Sequence, residues 1–331
     1  MSRANACTLP PNAPTRRINA VAQAVDNIDE VRKYLRILDR IFDLEAFLKY
    51  DGSPESVADY YTRSRWVYDL LHSRAGAMHM ALSYDGRFRS AGFREQPRLV
   101  DAEISRRKDV RSVLEVGCGK GYNTAILARK QTEVDFTAVD ITPAHARVAA
   151  ERTRRQRNVD VRVGDFEALK FDSGRFDLAF AIECLCHARS LPQVLEEVRR
   201  VVRPGAAFVV VDGFREPEFD RMPPALQVAS QLVELSMAVE RFWQIDVFTQ
   251  TAAACGWRVA EVRDLGAAIR PNLRRLQRIA RWYFQSEHAA AFLTRHLPPY
   301  LVRHAITGLL GAATLDGGTQ GYYALVLEAV D

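Results

Sequence analysis

Residues 113–121 read VLEVGCGKG, and the fold turns on how this stretch is understood. Val113, Leu114 and Val116 are strand formers, with Glu115 set among them and Gly117, Gly119 and Gly121 behind them at alternate positions. An aliphatic run that stops in glycine predicts a buried strand whose C-terminal end must turn sharply. Glycines there reach backbone conformations closed to other residues and let a ligand lie against main-chain atoms. In an open parallel sheet, ligands bind beyond the strand ends, near the point where strand order reverses.

Downstream of this stretch, short apolar runs alternate with helical patterns. Strands are predicted at 112–116, 134–139, 159–163, 176–181 and 206–212, with helices at 121–130, 143–155 and 190–202 between them. Strand and helix alternating at this pace give a mostly parallel sheet with helices on both faces. Helices at 223–241 and 245–255, a strand at 257–264 and a last strand at 322–328 follow. More than fifty residues part the last two strands, too many for a plain loop, so an inserted helical lid is predicted there. Upstream, residues 18–49 and 55–72 carry apolar residues at helical spacing, separated by Gly52, Ser53 and Pro54.

Two further acids stand at strand ends. Asp140 closes the second strand, 19 residues past Gly121, where a carboxylate can accept hydrogen bonds from the two hydroxyls of a ribose. Asp165 follows the third strand, within reach of an adenine amino group. The glycine spacing is G-x-G-x-G rather than the G-x-G-x-x-G of dinucleotide-binding dehydrogenases.

Glycines, acids and strand order together resemble the class I S-adenosylmethionine-dependent methyltransferases over residues 95–264 and the last strand. Arg203, Pro204 and Gly205 match the family's turn before the fifth strand. The resemblance implies an α/β fold: a Rossmann-like, seven-stranded, mostly parallel sheet with an antiparallel final hairpin. It divides the chain into a leader (1–17), an N-terminal helical cap (18–95), a core (96–264) with a helical segment at 213–241, a substrate lid (265–318) and a last core strand (319–331). The cofactor site it implies comprises Glu115, Gly117, Cys118, Gly119 and Gly121, then Asp140 with Ile141, Asp165 with Phe166, and Ile182.

The fourth strand points at the place of methyl transfer and ends in Ala181-Ile182-Glu183-Cys184-Leu185-Cys186-His187-Ala188. This segment resembles that of sterol C-methyltransferases and related isoprenoid enzymes. Gly76-Ala77-Met78-His79-Met80 looks like a degraded form of another of their segments, with methionines in place of phenylalanines, which puts a sterol substrate in doubt. In that branch an alkene attacks the methyl group and a carbocation forms, so the protein needs electron-rich surfaces, no water and a base. Glu183 can steady the cation or take the proton, with His187 and His79 as alternatives. Tyr61 joins them as a catalytic candidate, and Tyr60 and Tyr68 as substrate contacts.

Arginine supplies 40 of the 46 basic residues in a chain of net charge +5, which fits either codon usage or an anionic partner. Arg270, Arg274, Arg278 and Arg281 fall on one helical face of the lid. Such a stripe can grip a diphosphate, lie on an anionic membrane surface or face solvent. The first option makes the substrate a prenyl diphosphate, with Mg²⁺ beside it and ring closure open to the cation. The expected partner is a small lipophilic molecule; no nucleic-acid motif is present, membrane contact is peripheral at most, and self-association stays open. Five cysteines without metal-site spacing, no signal-like N-terminus and no long apolar run fit a cytoplasmic protein without a bound metal. The competing readings are an N- or O-methyltransferase of a small metabolite, with His187 as base, and a non-catalytic binding protein.

Overall fold

The computed structural model describes residues 28–42, 44–48, 73, 75–296 and 299–330. The expected helix at 55–72, with Tyr60, Tyr61 and Tyr68, lies outside the described residues. Helix α1 spans 28–41 and the short α2 spans Leu44–Leu48. Helix α3 (Glu95–Arg106) leads into β1 (Ser112–Val116), α4 (Tyr122–Lys130), β2 (Asp135–Asp140), α5 (Pro143–Thr153) and β3 (Val159–Val163). Then come β4 (Phe176–Ile182), α6 (Leu191–Val201), β5 (Val202–Arg215), α7 (Pro224–Ser236), α8 (Ile245–Ala254) and β6 (Trp257–Asp264). Three helices, α9 (Gly266–Tyr283), α10 (Glu287–His296) and α11 (Pro299–Asp316), separate β6 from β7 (Gln320–Ala329).

The seven strands lie in the order β3-β2-β1-β4-β5-β7-β6. β1 to β5 run parallel, and β7 runs antiparallel between β5 and β6, as the sequence led one to expect. Strand order reverses between β1 and β4, so the glycine loop after β1 and the turn after β4 face each other there. Val113, Leu178, Phe180 and Val209 pack one face of the sheet, and Leu114, Ala179, Phe208 and Val210 the other. Near-continuous apolar strands of this kind are what burial on both faces demands.

Most boundaries shift by one or two residues, and two differ by more. β5 runs on to Arg215, because it pairs with β7 as far as Arg215↔Gln320. Helix α7 stops at Ser236 rather than 241, where Ala238 adopts φ 58° and the Ala238 and Val239 amides bond back to the Leu235 and Glu234 carbonyls. Beside the sheet, α1 packs Val31, Tyr34 and Leu38 into an apolar cluster shared with α7, α9 and α11. Arg281 of α9 ties that packing to α1 by bonding the Tyr34 hydroxyl at 2.7 Å and pairing with Glu30. No helix among the described residues is long and apolar enough to cross a membrane.

Candidate active site

The loop after β1 is shaped by close contacts. Gly117 has φ 66°, and a Cβ there would stand 2.4 Å from the Cβ of Cys184 on the turn after β4. Gly121 has φ 69°, and its Cβ would stand 2.9 Å from the Ala149 Cα, so α4 meets α5 at that point. Glycine at these two positions therefore lets two loops and two helices approach each other. Gly119 donates its N–H to Asp140 Oδ2 at 2.8 Å, while Asp140 Oδ1 takes the Thr142 N–H at 2.9 Å. The strand-end carboxylate is thereby fixed at the rim of a cavity of about 330 Å³ that Gly117, Cys118, Gly119, Asp140, Ile141 and Phe166 help to line.

Glu115, Gly121 and Asp165 are not on that lining. Glu115 is buried behind the loop, where it accepts from Thr124 Oγ1 and from Asn123 Nδ2 at 3.3 Å, and burial raises its carboxyl to about 8. Its visible work is to hold the start of α4. Asp165 accepts the Glu167 N–H and the Arg189 guanidinium, while its neighbour Phe166 faces the cavity.

Glu183 sits where β4 ends, in a left-handed conformation of φ 49° that is costly for a residue with a Cβ. Its own N–H bonds Val211 at 2.8 Å. Its carboxylate accepts the Met80 N–H at 2.6 Å and the Tyr322 hydroxyl at 2.5 Å. Burial pushes this carboxyl up to about 7 against the opposing pull of those bonds. His187 lines the same cavity from the short turn Leu185–His187, and burial lowers it to about 4, so its imidazole is neutral at pH 7. His79 bonds Asn123 at 2.9 Å and the Met80 carbonyl at 3.1 Å, and its ring meets Tyr122 and Phe93 edge to face. It pins the segment carrying Met80 against α4. Ile182 is buried beside Glu183 and also lines the cavity.

Sequence reasoning did not single out Asp212, Tyr322 or Gln96. Asp212 lines the cavity at the β5 end, accepting the Leu185, Cys186 and Gly213 amides at 2.9, 3.2 and 2.8 Å, and burial raises it to about 6. An acid ending an apolar strand is the same signal that marked Asp140, so Asp212 was findable. Tyr322 and Gln96 meet Glu183 only through the fold.

The cavity continues between α7, α9 and α11, past Met237, Leu273, Leu276, Ala280 and Gly308. The arginine stripe of α9 is on the helix's other side. Arg270 and Arg274 pair with Asp316 at 2.6 and 2.5 Å, and Arg278 lies beside the exposed Trp282 in a separate shallow groove. None of the three lines the cavity, because the apolar face of an amphipathic helix takes the inward side and its cations the outward one.

Sheet order, strand-end acids and the glycine loop at the switch point define the class I methyltransferase fold. Residues 114–210 match the family described as a methyltransferase domain. The sterol 24-C-methyltransferase of Saccharomyces cerevisiae is 27% identical over 241 residues, which is 72% of this chain and 62% of that protein. The chain thus spans under two thirds of the length of this curated relative. Among solved structures, the cyclopropane synthase MmaA2 of Mycobacterium tuberculosis superposes with a TM-score of 0.66 at 13% identity, over 83% of this chain and 97% of that one. The geranyl diphosphate C-methyltransferase of Streptomyces coelicolor, in complex with Mg²⁺, geranyl diphosphate and S-adenosyl-L-homocysteine, gives 0.59 at 15% identity, over 84% and 98%. The chain carries a class I S-adenosylmethionine-dependent methyltransferase domain and resembles the sterol and isoprenoid branch in sequence and in fold.

Proposed function

We propose that this protein is an S-adenosylmethionine-dependent C-methyltransferase that acts on the double bond of a lipophilic isoprenoid. The observation that carries the reading is the continuity of the cavity: glycine loop and Asp140 at one end, apolar walls from α7, α9 and α11 at the other, Glu183 between them. S-adenosylmethionine supplies the methyl group. The close-packed glycines and the fixed carboxylate of Asp140 suit its main-chain and ribose contacts, and Phe166 offers a face to its adenine.

The chain's own residues supply the rest. Apolar helices exclude water from a reacting alkene and its cation. A base works best with a pKa near the working pH. Glu183, at about 7, meets that condition, and His187, at about 4, is a weaker base. Tyr322 and Phe242 give the cavity aromatic surface of the kind that favours cations. With the arginine stripe outside, the cavity supports an uncharged isoprenoid better than a prenyl diphosphate, and Mg²⁺ would belong only with the latter.

The test is methyl transfer from labelled S-adenosylmethionine to a panel of a prenyl alcohol, a sterol with a side-chain alkene, and a prenyl diphosphate with Mg²⁺, followed by mass spectrometry. Label on an alkene carbon of an uncharged substrate supports the reading. Label only on oxygen or nitrogen replaces it with the small-metabolite reading, and label only on the diphosphate overturns the substrate class. Cofactor binding without label on any acceptor returns the protein to a binding role.

A further inference from the structure

Glu183 is held by one oxygen. Oε1 accepts the Met80 N–H at 2.6 Å, the Tyr322 hydroxyl at 2.5 Å and, at 3.5 Å, the side-chain amide of Gln96. The Gln96 amide also donates to the Tyr322 oxygen at 2.5 Å and to the Met80 carbonyl at 2.9 Å. The hydroxyl of Tyr322 is thus polarised from one side and donates on the other. Among the described residues no hydrogen bond reaches Oε2, and Glu183 lines the cavity. The three holders come from the segment before α3, from α3 and from β7, the strand that follows α11. The carboxylate is locked only when those three parts are assembled.

We propose that Tyr322 is a positioning residue for proton abstraction: polarised by Gln96, it occupies Oε1 together with the Met80 N–H and leaves Oε2 as the atom that takes the proton. The proposal rests on the C-methyltransferase reading. In the step it serves, a C–H bond next to the cationic carbon breaks, its electron pair forms the new double bond, and the proton passes to Oε2. Glu183 ends neutral, and Oε1 keeps the Met80 N–H and the Tyr322 hydroxyl as a carbonyl oxygen, so the network need not reorganise.

The ionisable groups that act on Glu183 are Tyr322 from β7, Asp212 from β5 and Cys186 from the turn after β4. Burial, and to a lesser extent Asp212, raises the Glu183 carboxyl, and the Tyr322 bond lowers it. Removing the hydroxyl must therefore let the carboxyl titrate at higher pH.

The experiment is Tyr322→Phe, read by NMR of carboxyl-labelled glutamate with S-adenosyl-L-homocysteine bound, the signal assigned by its loss in Glu183→Gln. The expected result is an upward move of the carboxyl titration by about one pH unit. The acid limb of kcat should move with it, and plateau kcat should fall about tenfold. Cofactor affinity should stay within about twofold, as Tyr322 holds the carboxylate and not the glycine loop. An unmoved carboxyl titration overturns the proposal, as does a fall in kcat with the acid limb in place. A moved titration in a protein that methylates no alkene supports the hold on Glu183 and overturns the reaction it serves. If Tyr322→Phe does not fold, Gln96→Leu reads the same hold, with a smaller move in the same direction.

Discussion

At the glycine-loop end of the cavity, Gly117, Gly119, Asp140 and Phe166 come from the ends of three neighbouring parallel strands and the loops after them. At the apolar end, Val233, Leu273, Leu276, Ala280 and Gly308 come from three helices, two of them inserted between β6 and β7. The first end is shaped by a few definable contacts, such as the Gly119 N–H on Asp140. The second is a wall shared by many interchangeable apolar side chains. A site of single contacts is broken by one substitution. A packed wall yields by degrees, since cores tolerate changes that keep volume and polarity.

The largest effect is expected where the ends meet. Glu183→Gln should lower kcat by about 10²- to 10⁴-fold, the usual worth of a positioned base, while cofactor affinity measured by calorimetry holds. Loss of cofactor binding in that variant would place Glu183 on the glycine-loop end instead. Gly117→Ala comes next. Its new Cβ would press on Cys184 in a backbone conformation alanine disfavours, so cofactor affinity should weaken by about 10- to 100-fold, or about 1.4–2.8 kcal/mol. Activity should also depend on pH. A base that titrates at about 7 is protonated below that value, so log kcat should fall with unit slope as pH drops through 7 and level off above it. A limb near pH 4 would favour His187.

The apolar end should give smaller, selective changes. Leu276→Trp narrows the wall and should raise KM for a lipophilic acceptor about tenfold, with cofactor affinity within about twofold. Equal losses on both sides would mean the two ends do not act separately. The smallest effect is expected outside. Arg274→Ala removes an exposed pair with Asp316 and should cost less than about 1 kcal/mol by thermal melting, with kcat and KM unchanged. A large rise in KM there would return the arginine stripe to the substrate.

The same contrast explains what could be read from sequence. The strands at 112–116, 159–163 and 257–264 were legible to the residue: the first is a buried apolar run stopped by glycine, and the other two are edge strands that mix apolar with polar residues before a glycine or an acid. Asp140 and Glu183 were legible as candidates for the same reason, since a charge ending such a run lands on the rim. Asp165 read like Asp140, but the nearby Arg189 engages its carboxylate, a contact across 24 residues that no local pattern shows. The arginines of α9 shared a face in sequence, yet which face turned inward depended on apolar partners from α7 and α11. The partnership of Glu183 with Tyr322 spans 139 residues and exists only once β7 lies beside β5.

The most direct test of the central claim is a crystal structure with S-adenosyl-L-homocysteine and an uncharged farnesyl alcohol. The account predicts the nucleoside against Gly117 and Asp140, and the prenyl chain between α7, α9 and α11, with a double bond facing Glu183. A prenyl chain seated instead in the groove of Arg278 and Trp282, or a cofactor that does not open onto the apolar walls, would contradict it.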